Sequence, residues 1–498
     1  MIEVKRVTES LRVPCLLRPP VEYREAATMV ELEGVMKDKG KIYLQIICSV
    51  IVTLMLFCSG IAYGWMTIAL PDIRSHKSPI NVPGNLENWV VCAISIGGCF
   101  GPFLSALLLD RIGRKWFLYL TSVPFIVCWV LTFLAKSWVE LLLARFIVGL
   151  SVGALCAMVP VYLGEIVETN IRGGCSTLMA LMLNLGYIFI YGVGPLFSGK
   201  ILTLICLAPV VVFLLTALWL PESPYFYIKK NKEKCAALTL VWLRRRRDNS
   251  EEIEEIKKTI EAEKEGGFKQ LFVIPAHRRA LLLLLLLLAG QQLSGYMAIQ
   301  SYSSILFNHF HLRFSTETAL LLISGIALVS SVVSSLVVDR FGRKVVYLVS
   351  AYTSTLCLVV IGVYFLLAKI GMKVDKFSLV PLISVGIYVA FFAFGLASIP
   401  ATVSSEIFPI CVKSWATTIA NAYGSALAMI VGVIYKPIVD RFGYHAMFLG
   451  FALIELIITI VVNVIMPETS RKSFKEIQDI FDRESCNKKA KAEVTEAE

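Results

Sequence analysis

The chain has 498 residues, of which 57% are hydrophobic and 17% charged, with a mean hydropathy of +0.72 and a formal net charge of +11. A water-soluble globular fold could not carry that composition without aggregating, so the bilayer is the expected solvent. The positive charge then reads first as membrane topology and only second as attraction for anionic lipid.

The first 35 residues carry Pro14, Pro19 and Pro20 among scattered charges and read as a disordered tail, with residues 1–40 as the whole N-terminal segment. Apolar runs of helix-spanning length, about 20 residues each, then begin near Ile42, Trp89, Trp116, Trp138, Gly173, Ile201, Ala280, Phe314, Val345, Ser378, Ser414 and Tyr444. They are continuous in Leu, Ile, Val and Phe, which disfavours a strand barrel. The expected fold is an all-α membrane protein of twelve transmembrane helices in two six-helix bundles, residues 41–220 and 279–467. The run from Ile42 to Leu70 reads as an uncleaved signal anchor.

Between the bundles, residues 221–278 turn polar and rich in Lys, Arg and Glu. The stretches Ile228 to Trp242 and Glu251 to Glu263 read as short amphipathic helices lying on the inner face. Arg244 to Arg247, followed by Glu251, Glu252, Glu254 and Glu255, reads as one helix with a solvated, salt-bridged face rather than a nucleic-acid patch. With the N-terminus inside, the inner segments, including the tail 468–498, hold 37 of the 48 Lys and Arg residues. The chain is therefore expected to be multi-pass in the cell membrane, with both termini cytoplasmic.

Charged landmarks repeat in order. Asp110, Arg111, Ile112, Gly113, Arg114, Lys115 returns as Asp339, Arg340, Phe341, Gly342, Arg343, Lys344. Glu165 is followed seven residues later by Arg172, and Glu406 by Lys413; Pro221, Glu222, Ser223 matches Pro467, Glu468, Thr469. A duplicated set implies two repeats packed around a central path. The glutamates are placed to bridge to the arginines of the neighbouring turn, giving an inner gate of Asp110, Arg111, Arg114, Glu165, Arg172, Asp339, Arg340, Arg343, Glu406 and Lys413 that locks the two halves together in one state. The plainer alternative is that these charges cap helices and fix topology.

The hexapeptide pair, the Arg145, Gly149, Gly153 spacing, Pro160, Tyr162 and Glu165, Pro221 to Pro224, Gln291 to Gly295, Glu406 to Pro409 and Pro467 to Thr469 together resemble the sugar porter family of the major facilitator superfamily, over nearly all of residues 40–480. The Gly60 to Trp65 stretch is similar to its facilitated trehalose transporter branch. The resemblance implies alternating access by two bundles, with a sugar held at mid-membrane mostly by the second half. A ring of hydroxyls needs amides that both donate and accept, plus an aromatic surface. Gln291 and Gln292 match the family's paired glutamines, although interhelical hydrogen bonding is an alternative role. Tyr302 matches a family tyrosine, with closure of the outer side and core packing both open.

Departures from the family pattern fall in the pocket. The expected amides are Ala180, Met297 and Ala327, the span-ten motif reads Ala397, Ser398, Ile399, Pro400, Ala401, a glutamate position is Ala393, and span eleven offers Gly424 and Ser425. Asn184, Tyr191, Ser398, Thr402, Asn421 and Tyr423 are candidates to compensate. The substrate-binding set is therefore Gln291, Gln292, Tyr302, Asn184 and Asn421.

No acidic residue lies between Lys41 and Asp72, so facilitated diffusion is expected over proton drive. Glu455, midway along the last span, reads as a protonated, snorkelling or hydrogen-bonded residue. The thirteen cysteines show no ligand-like spacing, and no nucleophile with a base, phosphate loop or metal cluster is visible. The expectation is a monomeric, non-enzymatic transporter of a small solute, trehalose or hexose, with no metal, cofactor or nucleic-acid partner. A polyol or apolar solute transporter, or a non-transporting nutrient sensor, is the alternative.

Overall fold

The computed structural model describes residues 42–468, apart from 75–79, 81, 85, 198, 247, 265–267, 309, 311–314, 373–376 and 378. The expectations for the two tails, for Thr469 and for Arg247 lie outside the described residues. The first half contains α1 (Tyr43–Arg74), α2 (Glu87–Ile112), α3 (Arg114–Leu134), α4 (Trp138–Ile166), α5 (Thr169–Val193) and α6 (Gly199–Thr216). The linker holds α7 (Pro224–Lys229), α8 (Glu233–Arg244), α9 (Ser250–Lys264) and α10 (Phe268–Val273). The second half contains α11 (Pro275–Leu293), α12 (Tyr296–Asn308), α13 (Thr316–Phe341), α14 (Arg343–Lys369), α15 (Leu379–Phe391), α16 (Ser398–Ile407), α17 (Ile410–Phe442) and α18 (Tyr444–Ile465). Helices α11 and α12 form one broken span, and α15 and α16 another joined by a π turn at Phe392–Leu396, so among the described residues twelve spans are long and apolar enough to cross a membrane.

The turns follow from backbone chemistry. Gly113 and Gly342 adopt φ of +92° and +88°, the left-handed region where a Cβ is strained, and this lets α2 reverse into α3 and α13 into α14 with one residue between. Gly443 does the same at +94° between α17 and α18, in Asp440, Arg441, Phe442, Gly443, a third Asp-Arg-x-Gly turn lacking the Arg-Lys that follows the other two. Ser137 and Glu140 form a capping box that starts α4.

Within the first half, α2 packs on α4, and α1 on α5. A Cβ on Gly97 would strike the carbonyl oxygen of Phe146, and one on Gly149 that of Ile94, so small residues let the α2 and α4 backbones touch. Arg145, buried in this seam, donates from Nη1 to the Ala62 carbonyl at 2.8 Å and ties α4 to α1. The second half is built on α14 against α18 and α15, and on α11 against α17 and α18. The halves meet where α2 lies on α17, α5 on α13 and α1 on α12.

The linker differs from its sequence reading in two places. The stretch from Ile228 to Trp242 is not one helix: Asn231 takes φ of +57° and splits it into α7 and α8. The arginine run is not a solvated helical face either. Helix α8 ends at Arg244, Arg245 is left-handed, and Arg244 is buried, giving Nη1 to the Ile166 carbonyl at 2.7 Å and Nη2 to Glu252 at 2.6 Å. A guanidinium anchored on a helix C-terminus and a carboxylate is worth more to the fold than one left in water. Ile228, Ala236, Leu240, Ile256 and Ile260 give the linker a small apolar core of its own.

Candidate functional site

The end of the molecule that carries the linker holds the two repeated charge sets. Arg114, 3% exposed at its side chain, makes two hydrogen bonds to Glu165, at 2.8 and 2.7 Å, and one to Asp110 at 2.9 Å. Glu222 accepts from the backbone N–H groups of Arg114, Lys115 and Ser223 and so caps the start of α3. Burial nonetheless raises the Glu222 carboxyl above its ordinary range. In the second half Arg343 binds Glu406 at 3.0 and 2.8 Å, and Glu468 accepts from the N–H groups of Arg343 and Lys344.

In this structure the glutamates bridge to the arginines of the neighbouring turn, Arg114 with Glu165 and Arg343 with Glu406, each pair within one half. The reason is positional, since the Asp-Arg-x-Gly-Arg-Lys turn and the end of the fourth span belong to one bundle and meet without crossing the path. Arg172 and Lys413 bind no glutamate side chain; each donates to a carbonyl eight residues upstream, Gly164 at 3.0 Å and Ser405 at 3.2 Å, near the C-terminus of the preceding helix. Arg172 also stands near enough to Lys413, across the halves, to repel it. Arg111 and Arg340 are exposed, and the side chain of Asp339 lies outside the described residues.

The opposite end is closed by bonds that do cross. Glu87 of α2 pairs with Lys436 of α17 at 2.8 Å and with Arg74 at 2.7 Å, and its side chain is only 6% exposed. Asn88 donates to the Val433 carbonyl at 2.8 Å. Below them, Thr67 donates to the Gln300 carbonyl at 2.9 Å, Ser304 to the Thr67 carbonyl at 2.7 Å, and Gln300 to the Tyr191 hydroxyl at 2.8 Å. Tyr302 belongs to this closure, stacked on Tyr435 with ring centroids 4.7 Å apart, and is not brought beside the glutamines.

Between the ends, Gln291 and Gln292 occupy the last turn of α11 before the break at Gly295, whose φ is +85°. Both are half-buried, and their side-chain amides have no hydrogen-bond partner among the described residues. Gln292 faces the backbone of α17 at Gly424, one turn from half-buried Asn421, whose amide is likewise without a partner among the described residues. Asn184 is instead committed, giving Nδ2 to Ser331 Oγ at 3.1 Å across the halves. Ser398 donates to the Phe394 carbonyl of the π turn at 2.8 Å and accepts from Ser334 of α13 at 3.0 Å, while Thr402 donates to the Ser398 carbonyl at 3.1 Å.

The aromatic surface was not anticipated. Tyr296, directly after Gly295, stacks on Phe392 of the π turn with centroids 3.8 Å apart and planes 3° from parallel, and on α5 Tyr187 and Tyr191 pack ring to ring at 6.1 Å. Its only sequence signal is a tyrosine set beside a glycine that must break a helix. Glu87 and Lys436, 349 residues apart, left no signal at all.

Comparison with known proteins places these features. The family described as Sugar (and other) transporter matches residues 48–481. The chain is 26% identical over 468 residues to the facilitated trehalose transporter Tret1 of Apis mellifera ligustica, covering 93% of each chain. It is 26% identical to Tret1 of Anopheles gambiae, with 88% of this chain spanning 56% of that longer protein. Among solved structures it superposes on the proton:xylose symporter XylE, bound to 6-bromo-6-deoxy-D-glucose, with a TM-score of 0.72 at 21% identity, covering 88% of this chain and 99% of the other. The inward-open form of XylE from E. coli gives a TM-score of 0.72 at 19% identity, covering 88% and 100%. At these identities the superpositions establish the major facilitator fold.

Proposed function

Since the chain belongs to the sugar (and other) transporter family, we propose that it is a facilitative carrier of trehalose or a hexose, working by alternating access across the cell membrane. One observation carries the reading: three amides, Gln291, Gln292 and Asn421, stand half-buried at mid-span with no hydrogen-bond partner among the described residues, beside the Tyr296–Phe392 stack. An uncommitted amide offers a hydroxylated ligand both a donor and an acceptor. The stacked rings offer the apolar ring face a surface.

The linker end faces the cytoplasm in this reading, consistent with the lysine and arginine count. The clamps around Arg114 and Arg343 keep each half rigid while it rocks, and the Glu87–Lys436 contact holds the outer side shut in the state described. In this reading the inner gate set works by clamping within halves and by repulsion between Arg172 and Lys413. Asn184 contributes by linking the halves, Tyr302 by sealing the outer side. Span one carries no carboxylate between Lys41 and Asp72 for proton drive.

The test is uptake of labelled trehalose and of glucose by cells expressing the chain, beside a Gln291→Ala, Gln292→Ala double variant at matched surface level. Saturable uptake that the variant loses is the expected result. Absence of uptake of both sugars despite surface expression overturns the sugar assignment, and accumulation driven by a pH gradient overturns facilitated diffusion.

A further inference from the structure

Behind the break that presents Gln291 and Gln292 lies a second polar group. Glu455 of α18 is 0% exposed, and neither carboxyl oxygen has a hydrogen-bond partner among the described residues. One turn to either side, Phe451 packs against Gly295 and Ile458 against Gly290, which sets Glu455 at the back of the Gly290–Gly295 segment. The titratable groups near enough to interact with it are Tyr347 and Cys357 of α14 and Tyr388 of α15; no cation among the described residues faces it from α11, α14, α15 or α17.

The surroundings tie this position to the break. The Tyr388 hydroxyl donates to the Ser294 carbonyl at 3.2 Å and lies 3.1 Å from Ser294 Oγ, and Tyr347 reaches the Leu287 carbonyl at 3.5 Å. Along the buried face of α14 the hydroxyls of Ser350 and Ser354 also lack partners, and Ser350 abuts Gly395 in the π turn. Both broken spans, α11–α12 and α15–α16, thus meet at a seam in which Glu455, Ser350 and Ser354 have no hydrogen-bond partner among the described residues.

An isolated carboxylate in so dry a site is far costlier than the neutral acid, by many times the value of an ordinary hydrogen bond. We propose that Glu455 is a proton-binding site that sets the mobility of the helix break: the closed seam holds the carboxylic acid, and loss of its proton to water is linked to opening of the seam at Gly295. The ligand is a proton, taken up as the carboxylate becomes the acid and returned to water on opening. Its place behind the break, and not on the solute path, makes it a control on rate, separate from energetic drive.

The experiment uses the full chain in lipid nanodiscs, followed by infrared spectroscopy and thermal unfolding across pH. The wild type is expected to show a protonated carboxyl C=O band at neutral pH that Glu455→Gln removes and Glu455→Asp displaces. The wild-type midpoint is expected to fall with pH above the ordinary carboxylate range while the band persists and to level off at the pH where the band is lost, whereas Glu455→Gln holds a flat midpoint over that whole range. Identical spectra, or the same pH profile in wild type and Glu455→Gln, overturn the proposal. Should neither variant fold, wild type with carboxyl-labelled glutamate must still show the band at neutral pH, and its absence is equally decisive. No solute is needed, so failure of the sugar assignment and failure of this proposal are separate results.

Discussion

The two ends of this molecule use the same side chains in opposite ways. At the linker end, Arg114 and Arg343 satisfy glutamates of their own half, and Arg172 and Lys413, of like charge, stand in different halves. At the other end, Glu87 of the first half binds Lys436 of the second. Charges placed within a half make it a rigid body; charges placed across the halves choose which end is shut. A duplicated charge set therefore need not join the halves, and the charge pair that joins them here is not duplicated.

The comparison breaks most visibly at Arg114. Arg114→Ala leaves Glu165 without its partner and Asp110 with Lys229 alone, and removing one member of a buried pair costs about 3–5 kcal/mol. Its thermal midpoint is expected to fall well below that of Arg343→Ala, whose pair is more exposed, at 11% and 23% against 3% and 11%. Equal losses would remove the distinction between the two copies.

Next in size is Glu87→Gln, which weakens a charge-assisted contact worth roughly 1.5–3 kcal/mol. Spin-label distances across the ends are expected to shift toward a form open at the Glu87 end, by about tenfold in population for each 1.4 kcal/mol. Exchanging the charges, Glu87→Lys with Lys436→Glu, should recover part of the original distribution; unchanged distances in the single variant would show that the hydrogen bonds below suffice.

A smaller shift should follow Lys413→Glu, which turns repulsion from Arg172 into attraction. Its effect is expected to be about 1 kcal/mol toward closing the linker end, and to fade with added salt because the groups are partly solvated. The smallest change is Asn184→Ala, which removes one hydrogen bond to Ser331 at about 1 kcal/mol and is expected to alter uptake rate less than apparent affinity for sugar changes in the Gln291→Ala, Gln292→Ala variant. An equal loss of affinity in Asn184→Ala would return that residue to the solute site.

Much of the fold was legible in the sequence because bilayer thickness fixes span length and hydropathy marks it. The run starting near Trp138 begins at that residue in the structure, and the one near Tyr444 likewise. The helix break beside the two glutamines was legible too, since Gly290 and Gly295 flank them after eight leucines. The linker was harder: a left-handed residue at Asn231 and a buried Arg244 break a helical pattern that composition alone supports. Tyr302 was legible as a family tyrosine but not as either a closure or a packing residue, and the fold stacks it on Tyr435 at the far end, ten residues and a helix break from Gln292.

The amino-acid sequence by itself determined the twelve spans, the split into two halves and the pairing of repeated charges within short reach, because each is set by local hydropathy or by turn chemistry. Only the tertiary structure decided which charges cross between halves, which amides remain unpaired, and that Glu455 lies behind the break of the seventh span. Those depend on contacts between segments hundreds of residues apart, such as Glu87 with Lys436, whose side chains carry no mark of each other until the bundles pack.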